Sequence, residues 1–155
     1  MALVIDASLT LAWFLESERT RFSEDFFDQV ELLDLWAPAI WSLEIPNALL
    51  VAQRRKRISR DARLEALERI AGLGIRIDSA LLDLKTISAL AERTGLSTYD
   101  ASYLECALRQ GFDLATLDRE LAHAAAAEGV SVHAPGRSGA AQPRRRRLQY
   151  LGHQT

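Results

Sequence analysis

Residues 1–8 read MALVIDAS. Ala2–Ile5 is a brief apolar run containing Val and Ile, the pattern of a short, fully buried strand. It runs straight into a carboxylate, Asp6. Burying a charge costs on the order of several kcal/mol unless it is paired or binds a cation. The same arrangement returns at residues 112–121, FDLATLDREL, where Asp118 closes a second short run. A helical pattern follows each acid. In a parallel sheet, ligands bind beyond the carboxyl ends of the strands. Asp6 and Asp118 both project there if their strands are neighbours.

Working outward, strands and helices alternate along the chain. Helices are expected over 8–16, 20–33, 38–57 (with Pro46 a kink), 61–72, 79–94, 97–110 and 118–128. Strands are expected at 2–5, 35–37, 74–77, 113–117 and 130–132. That alternation predicts an α/β fold: a three-layer α/β/α sandwich around a central, mostly parallel sheet. After Pro135 the composition turns to Gly, Ser, Ala, Gln and Arg. The expected division is therefore one domain at 1–135 and a flexible, arginine-rich tail at 136–155.

The chain has 155 residues and a formal net charge of −2. Arg137, Arg144, Arg145, Arg146 and Arg147 all fall in the tail, leaving 14 basic against 21 acidic residues before it, a net −7. Such a body is not a broad nucleic-acid-binding surface. It leaves room for a local basic patch beside an acidic pocket. The single cysteine, Cys106, excludes an internal disulfide and suits a reducing cytoplasm. No apolar run of about 18 residues predicts a membrane span. The N-terminus lacks the basic region of a signal peptide.

Two further acids sit on apolar faces. Asp100 opens the helix YDASYLECALRQ and shares a stripe with Leu104, Ala107 and Leu108. Glu44 lies in PAIWSLEIPNALLVA, with Ile40, Asn47 and Val51 at helical spacing. Each acid has an ordinary alternative. Asp6 and Asp118 suit helix N-caps, Asp100 suits a capping partner for Ser97, and Glu44 suits a solvated face. Together they admit a single account: carboxylates turned inward repel one another and stay ionised around a cation. Oxygen ligands without a cysteine or histidine pattern select a hard ion, magnesium or manganese.

These residues carry a resemblance. LVIDAS, Glu44 with Asn47 three residues on, LSTYDASYLECALRQG and LATLDREL are similar to the PIN-domain ribonucleases, and most of all to the VapC toxins of bacterial type II toxin–antitoxin pairs. The likeness runs from Leu3 to about Pro135. It rests on the order and spacing of all four acids. It implies a catalytic and metal-binding set of Asp6, Glu44, Asp100 and Asp118, with Ser8, Asn47 and Thr116 supporting it. It also implies a Mg2+- or Mn2+-dependent hydrolysis of RNA phosphodiesters, a homodimer, and inhibition by a small VapB-like antitoxin. Pro46, between Glu44 and Asn47, departs from the pattern.

Other residues have plainer readings. Arg54, Arg55, Lys56 and Arg57 close a helix, where cations are favoured, and they also suit contact with RNA phosphates. Trp13, Phe22, Phe26 and Phe27 read as helix packing. Trp36 and Trp41 read as core or dimer contacts, and Cys106 as a small core residue. His123, His133 and His153 form no metal spacing. Two other functions compete: a non-catalytic interaction module on the same fold, and a phosphatase of the haloacid dehalogenase type. The phosphatase class wants an aspartate two residues after the first, where Ser8 stands.

Overall fold

A computed structural model describes residues 1–136. The expected tail falls outside the described residues from Arg137 onward. Five strands of the described residues form one sheet: β1 (Ala2–Ile5), β2 (Asp34–Pro38), β3 (Arg76–Asp78), β4 (Asp113–Ala115) and β5 (Val132–His133). Their order is β3-β2-β1-β4-β5, and every pairing is parallel. The chain winds outward from β1 to β3, then crosses back to place β4 on the other side of β1. The order therefore reverses between β1 and β4, the point where ligands gather in open parallel sheets. Those are the two strands that the sequence ends in Asp6 and Asp118.

Among the described residues, seven α-helices cover the sheet: α1 (Ala7–Ala12), α2 (Arg21–Phe27), α3 (Trp41–Arg54), α4 (Arg60–Ala71), α5 (Leu84–Thr94), α6 (Thr98–Gln110) and α7 (Arg119–Ala127). Strand side chains alternate between faces. Leu3 and Ile5 pack with Leu9, Trp13, Phe26 and Val30 on one face. Val4 packs with Ile45, Leu49, Tyr103 and Leu104 on the other. This gives the three layers expected. Among the described residues, no helix is long and apolar enough to cross a membrane.

The elements differ from expectation mainly at their ends. α1 stops at Ala12, where the chain tightens and the Trp13 N–H bonds the Thr10 carbonyl. The expected helix 20–33 divides into α2 and a separate 3-10 turn at Val30–Leu32. Pro38 ends β2 instead of opening a helix; the residue lacks an N–H, so a strand terminus suits it. α3 runs unbroken through Pro46. The carbonyl that Pro46 leaves free belongs to Ser42, which is exposed and can bond water. α5 starts five residues after Ser79 because Asp83 caps it, accepting the Thr86 N–H at 2.9 Å. β5 is displaced to Val132–His133 because α7 closes through Gly129, whose φ of 85° suits glycine.

Candidate active site

The four acids arrive from four elements at one end of the sheet. Asp6 follows β1 and Asp118 follows β4. Glu44 and Asp100 lie in the first turns of α3 and α6. A helix between parallel strands runs back against them, so its N-terminus lies at the strands' carboxyl end.

Asp6 holds the N-cap position of α1 with an extended backbone, yet its side chain caps nothing. Its Oδ2 instead accepts the Ser8 hydroxyl at 2.7 Å and the Thr116 hydroxyl at 2.7 Å. Both bonds fall on that one oxygen, and Oδ1 accepts none from the described residues. Thr116 is fully buried and also accepts the Asp118 N–H at 2.9 Å. Ser8 accepts the Leu117 N–H at 3.1 Å. The two hydroxyls thus lock the ends of β1 and β4 together around one carboxylate. Asp118 does cap its helix: Oδ1 accepts the Glu120 and Leu121 N–H groups at 2.8 and 3.1 Å.

The electrostatics are those of a site short of positive charge. Burial raises the Asp6 carboxyl; the Ser8 and Thr116 bonds oppose this, while the charges of Asp100 and Asp118 add to it. Burial, then Asp6, lifts Glu44 from its ordinary 4.5 to about 7. Asp100 is raised by burial and then by Asp118, with the Ser97 hydroxyl pulling the other way. Asp6, Glu44 and Asp100 each respond to others of the set, and the charge of Asp118 acts on two of them, so the four share one field. Asp78 makes the contrast. Burial alone would raise it, but the Arg109 guanidinium bonded to it holds it below its ordinary range. Among the described residues, no lysine or arginine forms an ion pair with Asp6, Glu44, Asp100 or Asp118.

The donor set fits a hard cation that keeps much of its water. Among the described residues, no three Asp, Glu, His or Cys side chains close into a ready-built cage. Magnesium seldom needs one; about one or two carboxylates commonly hold it, with water completing the shell.

Two neighbours of the acids escaped the sequence reading. Tyr103, fully buried, donates its hydroxyl to Glu44 Oε2 at 3.2 Å. It follows Asp100 by three residues and so shares its helix face, which was the available signal. Glu120 lends negative charge to Asp100 from the start of α7. The Asn47 side chain is exposed and makes no hydrogen bond among the described residues. Tyr103→Phe is expected to raise the Glu44 titration midpoint by roughly half to one pH unit. Carboxyl-carbon NMR reads that change directly, and an unmoved midpoint would deny Tyr103 any hold on Glu44.

The basic cluster lies apart. Arg54 is ten residues beyond Glu44, about 15 Å along α3. Arg54 and Arg55 are exposed, whereas Arg57 bonds Ser17 and approaches Glu18 Oε1 at 3.6 Å. Trp41 is buried and donates its Nε1–H to Thr10 Oγ1 at 3.3 Å. Trp36 packs on Phe112. Cys106 is fully buried.

Comparison with known proteins bears on the family and the fold. The family described as PIN domain matches residues 3–127. Ribonuclease VapC3 of Pyrobaculum aerophilum is 32% identical over 124 residues, covering 79% of this chain and 93% of that protein. Two solved structures share the fold. PAE2754 from Pyrobaculum aerophilum has a TM-score of 0.65 at 24% identity, over 80% of this chain and 84% of its own. VapBC2 from Rickettsia felis, solved on a DNA fragment from its promoter, has a TM-score of 0.63 at 12% identity, over 86% and 98%.

Proposed function

Because the chain belongs to the PIN-domain family, we propose that it is an endoribonuclease that hydrolyses RNA phosphodiesters with Mg2+ or Mn2+, acting in the cytoplasm as the toxin of a type II toxin–antitoxin pair. The observation that carries this is the shared field of Asp6, Glu44, Asp100 and Asp118 without a compensating cation from the described chain. An interaction module has no use for buried acids that raise one another's pKa. A dehalogenase-type phosphatase lacks its second aspartate, and Ser8 at that place is occupied in orienting Asp6.

In this reading Asp6, Asp100 and Asp118 would hold the ion, with Glu44 beside them. The bound ion would neutralise charge on the scissile phosphate and lower the pKa of water. The residues supply position. Ser8 and Thr116 fix Asp6 by one oxygen and leave the other for the ion. Asp118 is held by its own helix N-terminus through Oδ1. Glu44, which burial and the Asp6 charge raise while no cation is present, would lie beside the ion, and Tyr103 steadies one of its oxygens. Arg54, Arg55 and Arg57, at the far end of α3, suit phosphates several nucleotides from the cut. A VapB-like antitoxin and a second copy of the chain are the partners this function brings. Exposed Leu81 and Leu82, between β3 and α5, and Leu84, at the start of α5, offer apolar area for them to cover.

Incubating the purified protein with total RNA and manganese should produce discrete new ends, mapped by sequencing, that disappear with a chelator. Intact RNA under those conditions removes the nuclease reading.

A further inference from the structure

Two large apolar side chains stand exposed directly beside acids of the site. Tyr99 precedes Asp100 and is 64% exposed; Leu43 precedes Glu44 and is 68% exposed. Tyr99 has no aromatic neighbour among the described residues, and its hydroxyl makes no hydrogen bond there. Its backbone is nonetheless firmly placed. It sits in the first turn of α6, which Ser97 caps, and its carbonyl accepts the Ser102 hydroxyl at 2.5 Å. Tyr103 lies one turn further on and meets Glu44 at 3.2 Å. Residues four apart share a helix face. Tyr99 is therefore on the side of α6 that looks toward α3, one turn nearer the mouth of the site. An aromatic ring carried on a firmly placed backbone and open to solvent contributes little to the core.

We infer that Tyr99 is a stacking platform for an unpaired nucleobase, holding the nucleotide beside the phosphate presented to Asp6, Glu44, Asp100 and Asp118. The inference rests on the nuclease reading and adds to it a residue that positions the substrate. Every base has a π face, so the platform accepts any of them, and stacking of this kind changes affinity by about 5- to 150-fold. A base inside an A-form helix is already stacked on its neighbours and cannot reach the ring.

The test uses short fluorescent RNAs, one unmodified and a series with a single abasic position moved along the strand. Binding is read by anisotropy with manganese in an Asp118→Asn background, so that the RNA survives. Tyr99→Ala should weaken binding to unmodified RNA by about 5- to 150-fold, while Tyr99→Phe should not. One abasic position should abolish the difference between Tyr99 and alanine. In the otherwise unaltered protein, Tyr99→Ala should raise KM more than it lowers kcat. Equal affinities for Tyr99 and alanine, no rescue by phenylalanine, or the same loss at every abasic position overturns the stacking role. If the unaltered protein cuts RNA and Tyr99→Ala matches it, the stacking role alone fails. If the unaltered protein neither binds nor cuts RNA, the nuclease reading fails with it.

Discussion

Asp6→Asn is expected to lower RNA cleavage on the order of 10³-fold while leaving the fold intact or more stable. The substitution removes one charge and almost no volume. An asparagine oxygen in the place of Oδ2 can still accept the Ser8 and Thr116 hydroxyls, both 2.7 Å away. The cross-brace between β1 and β4 therefore survives. What is lost is a negative oxygen toward the ion, from the most deeply buried acid of the set. What is gained is relief of an unfavourable burial, since the Asp6 carboxyl is raised by desolvation and by the charges of Asp100 and Asp118. A structural acid behaves in the opposite way: neutralising it costs stability and spares chemistry. The two measurements are cleavage of a defined RNA with manganese and the midpoint of urea unfolding without metal. Full cleavage, or a large fall in the midpoint, would make Asp6 a structural residue and dissolve the site.

The same contrast shows how far the sequence could be read. Strand β1 was legible to the residue, because four consecutive apolar positions admit one interpretation and Asp6 marks their end. The gathering of four acids was legible through their order. Which acid caps a helix was not. Asp6 and Asp118 both stand at N-cap positions, and the role turns on whether nearby hydroxyls outcompete the backbone N–H groups. At Asp6 they do; at Asp118, whose N–H is itself bonded to Thr116, they do not. Asn47 was placed beside Glu44 by helical spacing alone; its side chain is exposed, and no hydrogen bond among the described residues ties it to the acids. Tyr103 was hidden because an aromatic in an apolar stripe reads as packing. Its hydroxyl finds Glu44 across 59 residues of sequence, a contact no local pattern contains. Helix ends shifted wherever a better cap stood nearby, as Asp83 did for α5.

Protons and the metal ion should compete for the site, and stability should register the competition. Asp6, Glu44 and Asp100 all bind protons more tightly in the folded chain than when unfolded. Wherever the folded state holds the extra proton, stability falls as pH rises. For Glu44 that window runs from its ordinary 4.5 to about 7. The metal-free protein is thus expected to lose stability across it, on the order of 1 kcal/mol from Glu44 once solvent screening of a half-exposed group is allowed for. Manganese acts in the reverse sense. It binds the deprotonated acids, so its stabilisation grows as protons leave. At an ion concentration about 100 times its dissociation constant the gain is about 2.7 kcal/mol, roughly 5–12 °C for a domain of this size. Thermal unfolding of metal-stripped protein, with and without manganese, should show that full shift near pH 7.5 and little of it near pH 5. Glu44→Gln should flatten the decline of the metal-free protein with pH, because an amide cannot release the proton. A manganese shift of equal size at both pH values would mean that the ion binds elsewhere, away from the acids whose charges now oppose one another.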